Sequence, residues 1–147
     1  MATAVDSLSN KGFASAVDKS IQGAGMIENI SINVDYASAF DTVVIQIGTN
    51  GPVTQEQFDE MANLLKDIPH VYFLTVKAPK DWIATNNELI RSLPSRHSNV
   101  RVVDWERRST EIAAELSPGD GGIHLYTPAA IEFYTKLIVG AVDENNG

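Results

Sequence analysis

The chain has 147 residues and a mass of 16.0 kDa, is 44% hydrophobic and 20% charged, and carries a formal net charge of −8. That length buries a continuous core without disulfides or a structural metal, and the apolar fraction excludes a disordered chain. A pI near 4.7 argues against electrostatic binding of nucleic acid or anionic lipid, and the lack of cysteine excludes thiol catalysis, disulfide frameworks and thiolate zinc sites. No run approaches the roughly 20 apolar residues of a membrane helix. No basic segment precedes an apolar one at the start, so export would rest on a segment upstream.

Met1 to Lys11 reads as a helix-like stretch closed by Gly12, with no strand before it, and Phe13 to Val17 is a weak strand candidate. Val43-Val44-Ile45-Gln46-Ile47 is a β-branched run stopping at Gly48, which predicts a buried parallel strand. Val71 to Val76 and Val100 to Val103 read the same way. Thr54 with Gln57 has capping-box spacing, and Phe58, Met61, Leu65 and Ile68 fall on one face of the helix that follows. Trp82 to Leu93 is a second helix, ended by Pro94. Thr127-Pro128 supplies an N-cap and a first-turn proline, and Ile131, Tyr134, Ile138 and Ala141 form the apolar stripe of the last helix. The polar tail 143–147 is expected to fray.

Strands alternating with helices predict an α/β fold, a parallel sheet covered on both faces, in one domain over residues 1–142. A doubly wound domain normally opens on a strand, so the first strand is expected to be missing. A sheet short of that strand has unpaired edges, which invites a homodimer.

In open α/β sheets, ligands bind beyond the carboxyl ends of the strands. Gly48-Thr49-Asn50-Gly51 lies at such an end, where the glycines allow a sharp turn and Asn50 can donate into a cleft; read alone it is an ordinary turn. Asp120-Gly121-Gly122-Ile123-His124 precedes the last helix and offers a base with a carboxylate to orient it. His70 and His97 lie in polar stretches without an organised partner and read as solvated.

Together, the Gly-Thr-Asn strand end and the late Asp/Gly/His loop resemble blocks III and V of the SGNH (GDSL-type) hydrolases. The likeness is closest to the extracytoplasmic SGNH domain at the C-terminus of family-3 membrane acyltransferases, the peptidoglycan O-acetyltransferase type. Asp41 to Pro52 followed by Thr54-Gln55, Val76-Lys77-Ala78-Pro79 with Trp82 and Asn87, and Val102-Val103-Asp104-Trp105 also look like that subfamily. The likeness runs from about Lys11 to Val142 and implies a three-layer α/β/α, flavodoxin-like sheet.

The resemblance implies acyl transfer through a serine ester. His124 matches the base, Asp120 its orienter, and Asn50, with Gly48 beside it, the oxyanion donor. The family's serine stands in a Gly-Asp-Ser block at the end of the first strand. Matching Met1 to the Met of that block places the serine upstream of residue 1. Asp6-Ser7 is the weak fallback, because a Ser7 register leaves no room for a helix of about three turns before Lys11-Gly12-Phe13.

Two further departures stand out. Ser20 and Gln22 fall where the subfamily has Ser-Arg-Gln, with Ile21 in place of arginine. Asp120 stands four residues before the histidine instead of three, as though a glycine had been inserted.

The resemblance further implies a cell-wall glycan or other acetylated carbohydrate as partner and an upstream membrane acyltransferase domain as acetyl source. It also implies an extracytoplasmic location and neither metal nor diffusible cofactor. Hydrolase and transferase share these residues and differ in whether water or a sugar hydroxyl reaches the acyl-enzyme. The alternative is a non-catalytic domain keeping the shell and a binding cleft.

Overall fold

The computed structural model describes Leu8, residues 24–125 and residues 127–146. The segments expected as an opening helix (apart from Leu8) and as the strand Phe13 to Val17 lie outside the described residues, as do Ser7, Ser20 and Gln22. The chain is an α/β fold with a partial flavodoxin-like sheet, and it divides into two compact units. One comprises Ile21–Val76 and Lys80–Asp104; the other comprises Met1–Ser20, Lys77–Pro79 and Trp105–Gly147.

The first unit holds the sheet. Helix α1 (Ala24–Ala37) leads to β1 (Thr42–Gln46), α2 (Gln55–Leu64), β2 (His70–Leu74), α3 (Ile83–Ser92) and β3 (Val100–Val103). The order is β1-β2-β3, all parallel, with Val44 opposite Tyr72 and Tyr72 opposite Arg101. Parallel neighbours need crossovers, and α2 and α3 provide them. β2 lies in the middle and is buried from Val71 onward, whereas β1 is half-buried along its length.

Phe58, Met61 and Ala62 of α2 pack with Leu65, Ile68, Val71, Phe73, Ile90, Leu93 and Val100 into one core. Phe58 meets Phe73 edge to face, with ring centroids 6.5 Å apart. The capping box forms in both directions: Thr54 Oγ1 accepts from Gln57 N–H at 3.1 Å, and Gln57 Oε1 accepts from Thr54 N–H at 3.0 Å. Leu65 and Ile68 keep their places in the core although α2 ends at Leu64. Helix α1 has no counterpart among the predicted elements, yet Ile27, Ile30, Val34 and Ala37 pack against this core at helical spacing.

The described residues of the second unit are mainly helical. A short α4 (Trp105–Arg108) runs into 3-10 turns at Ser109–Glu115 and Pro118–Asp120, and α5 (Pro128–Asn146) closes the chain. Trp105 meets Tyr134 of α5 edge to face at 5.0 Å, and burial pushes the Tyr134 phenol pKa up. Thr127 Oγ1 accepts from Ala130 N–H at 3.2 Å, capping α5 as its Thr-Pro start predicts. The helix runs on through Asn146. No helix among the described residues is long and apolar enough to cross a membrane.

Candidate active site

Because the strands are parallel, the loops after β1, β2 and β3 leave the same end of the sheet. Each is fixed by a polar side chain. Beyond β1, Gly48 adopts φ +119, a conformation L side chains rarely take. The buried Asn86 of α3 donates its amide to the carbonyls of Gly48 (2.8 Å) and Gly51 (2.9 Å) and accepts from Val53 N–H at 3.0 Å. The Trp82 indole donates to Thr49 O at 3.2 Å. The turn that carries Asn50 is thus held at each flank, with Asn50 half-buried in it.

Beyond β2, Asn87 accepts from Val76 N–H and donates to Val76 O, both at 2.8 Å, as a neighbouring strand would. Beyond β3, Asp104 accepts two hydrogen bonds from the Arg91 guanidinium (2.9 and 3.2 Å) and one from Thr75 Oγ1 (3.0 Å).

The second unit carries Asp120 and His124. Its loop is closed at the neck by a bridge between Leu116 and Leu125 and by Ser117 N–H donating to His124 O at 3.2 Å. Gly121 and Gly122 both have positive φ, +69 and +87. A Cβ on Gly121 would lie 2.7 Å from Pro79 Cγ, and one on Gly122 would lie 2.9 Å from Lys77 Cε, so neither position accepts a side chain without movement. Asp120 Oδ2 sits 2.5 Å from His124 Nδ1, while Oδ1 accepts from the N–H groups of Gly122 (3.1 Å) and Ile123 (3.0 Å).

The His124 hydrogen bond holds the Asp120 carboxyl below the usual carboxylate range. Slight burial opposes it, and the Ile123 N–H, the Ser117 hydroxyl and the Gly122 N–H reinforce it. The His124 side chain is 71% exposed, and its Nε2 has no partner among the described residues. An imidazole held at Nδ1 by a carboxylate with Nε2 outward is arranged to take a proton from a hydroxyl.

Asp120 and His124 are therefore brought together in one unit, and Asn50 and Gly48 lie in the other. Among the described residues no cluster of three or more histidine or acidic side chains is arranged to hold a metal. His97 departs from its expected solvated state. Its Nε2 lies 2.8 Å from Asp59 Oδ1, the oxygen that also accepts from Arg96 Nε at 2.9 Å, and its side chain is 11% exposed. Asn86 went unnoticed in the sequence; its one signal is an Asn-Asn pair inside a helix, where asparagine is a weak former.

No protein-family model matches the chain. Among curated proteins it is 29% identical over 109 residues to the peptidoglycan O-acetyltransferase OatA of Listeria monocytogenes, covering 74% of this chain and 17% of that protein. It is 30% identical over 100 residues to the putative peptidoglycan O-acetyltransferase YrhL of Bacillus subtilis, covering 68% and 15%. A putative O-acetyltransferase of Staphylococcus aureus is 32% identical over 90 residues, 61% of this chain and 14% of that one. The chain thus spans about one sixth of the length of the curated relatives it matches.

Proposed function

This chain is a homologue of the peptidoglycan O-acetyltransferases over part of their length, and on that premise we propose that it is an SGNH-type domain for acetyl-ester chemistry on cell-wall carbohydrate. The carrying observation is the Asp120–His124 pair at 2.5 Å, with Nε2 of the histidine unengaged among the described residues. In this reading a serine hydroxyl loses its proton to His124 Nε2 and attacks the acetyl carbonyl. Asp120 stabilises the imidazolium, and Asn50 donates to the oxyanion. The leaving oxygen takes the proton back from His124. A sugar hydroxyl, or water, then repeats the sequence on the acyl-enzyme.

The serine is expected upstream of Met1, with Ser7 as fallback. The acetyl source is a membrane acyltransferase region of the same protein, and the domain works outside the membrane in the cell envelope. No cofactor is needed for these steps.

The test is nitrophenol release from 4-nitrophenyl acetate by this chain and by one extended upstream by about a strand, beside His124→Ala and Ser7→Ala. The expected result is activity in the extended chain that His124→Ala abolishes and Ser7→Ala spares. Activity lost with Ser7→Ala makes Ser7 the nucleophile. An extended chain no faster than its His124→Ala variant leaves the domain a non-catalytic shell.

A further inference from the structure

Gly121 sits in the left-handed region (φ 69, ψ 22), which by itself does not demand glycine, because asparagine also adopts it. A second constraint falls on the same position. The three atoms nearest to a Cβ there would be Cγ, Cδ and Cβ of Pro79, at 2.7, 2.8 and 3.2 Å, so the proline ring packs on the bare Cα. The segment Lys77–Pro79 belongs to the same compact unit as this loop, and it crosses both glycines, Lys77 Cε coming 2.9 Å from a Cβ built on Gly122. With a fixed φ and a closed ring, proline makes a stiff stop. The peptide groups next to that stop hold the candidate site. Gly122 N–H donates to Ser117 O (2.9 Å) and to Asp120 Oδ1 (3.1 Å), and Ile123 N–H donates to the same Oδ1 (3.0 Å). The other carboxylate oxygen meets His124 Nδ1.

We propose that Pro79 is a positioning residue for the candidate base: its ring, seated on Gly121, fixes the Gly122 and Ile123 amides that aim the Asp120 carboxylate at His124 Nδ1. This rests on the reading of Asp120 and His124 as orienter and base, and it extends the machinery to a residue far from them in sequence. Pro79 acts in this scheme only through Gly121. Glycine is then required at position 121 for the close approach of the ring, beyond its φ.

A double-substitution cycle at Pro79 and Gly121, read by NMR at Asp120 and at the Ile123 amide, tests this without requiring a nucleophile. In the chain as it stands the Asp120 carboxyl is expected to titrate below the usual 3.8. Gly121→Asn, which the backbone tolerates and the proline ring does not, is expected to move that titration up toward the usual value. It is also expected to speed hydrogen exchange at Ile123 by about 10-fold. Pro79→Gly alone is expected to act in the same direction, by releasing the loop. With both changes the asparagine has room, so adding Gly121→Asn to Pro79→Gly is expected to cost about 10-fold less in exchange than adding it to the parent. Additive effects, a harmless Gly121→Asn beside an intact Pro79, or a Pro79→Gly variant with the parent's Asp120 titration overturns the proposal. So does loss of the whole fold in Pro79→Gly, because Pro79 is exposed and a positioning contact there leaves the core in place. In the upstream-extended chain Pro79→Gly is expected to lower kcat by about 10-fold at unchanged KM, the scale of a slightly misplaced base. Full turnover in Pro79→Gly beside an inactive His124→Ala sinks this proposal alone. An extended chain with no turnover sinks the ester reading alone, since the carboxyl titration and the amide exchange still decide this one.

Discussion

Two histidine–aspartate pairs in this molecule share their chemistry and differ in everything around it. In the Asp59–His97 pair, Nε2 of the ring is bound, the same carboxylate oxygen also takes Arg96, and the histidine is 11% exposed. That pair ties α2 to the turn after α3, residues 38 apart in sequence, and holds a largely buried ring by its Nε2. In the Asp120–His124 pair, Nδ1 is bound, the second carboxylate oxygen is taken by backbone N–H groups, and the histidine is 71% exposed. The first arrangement suits a cross-link, whereas the second suits a base. Which nitrogen is held, and what else shares the carboxylate, separates the two.

The sharpest way to break this comparison is to remove each histidine. In the upstream-extended chain, His124→Ala is expected to lower 4-nitrophenyl acetate turnover by about 10³-fold or more with little change in melting temperature. His97→Ala is expected to leave turnover within about 2-fold and to lower stability by about 1 kcal/mol, read from a denaturant midpoint. The opposite pattern would exchange their roles. Asp120→Asn follows, with a loss of roughly 10³-fold, because an amide in that place no longer fixes the tautomer or stabilises the imidazolium. If Asp120→Asn retains full turnover, the inserted glycine has displaced the orienter from its role.

Asn86→Ala comes next. It would leave the carbonyls of Gly48 and Gly51 and the N–H of Val53 without their partner in a buried site, at a cost of about 3 kcal/mol in thermal or denaturant unfolding. Because Asn50 rides on that turn, its turnover loss is expected to exceed that of His97→Ala, which costs less stability and touches neither predicted loop. A variant that melts like the parent would mean the turn is held by other contacts.

What the sequence disclosed follows the distance between partners. The three β-branched runs, the Thr54 and Thr127 caps, and Asp120 with His124 four residues on are all local, and each was readable. Asn86 holds backbone 33 to 38 residues away, and Asp59 meets His97 across 38, so neither pairing leaves a local trace. Helix α1 had the spacing Ile27, Ile30, Val34, Ala37, but glycine, asparagine and serine around it weakened the propensity, and packing against the core made up the difference. The one extra residue between Asp120 and His124 read as a break in the spacing that the resemblance implies. Only the two positive φ values of Gly121 and Gly122 show that the chain turns twice and still delivers the carboxylate to Nδ1.

The smallest effect expected lies in acid, and it separates the two aspartates by where the response shows. Burial works to raise the Asp59 pKa, but hydrogen bonds from His97 and Arg96 and the charge of Arg96 outweigh it, so its carboxyl titrates below the usual value of 3.8. Asp120 is lowered as well, chiefly by His124. A carboxyl depressed on folding binds its proton more readily in the unfolded chain, so its stabilisation is present above 3.8 and fades as pH falls through the lowered folded value. For Asp59, which joins two elements, the fading is global: the melting-temperature gap between the wild type and Asp59→Asn is expected to be steady above about pH 5 and to close below 3.8. For Asp120, on an exposed loop, the same linkage is expected to give a smaller closing of the melting-temperature gap than for Asp59 and to show most clearly as faster hydrogen exchange at the amides of Gly122 and Ile123. A larger melting response in Asp120→Asn than in Asp59→Asn would reverse the assignment of one pair to the fold and the other to chemistry.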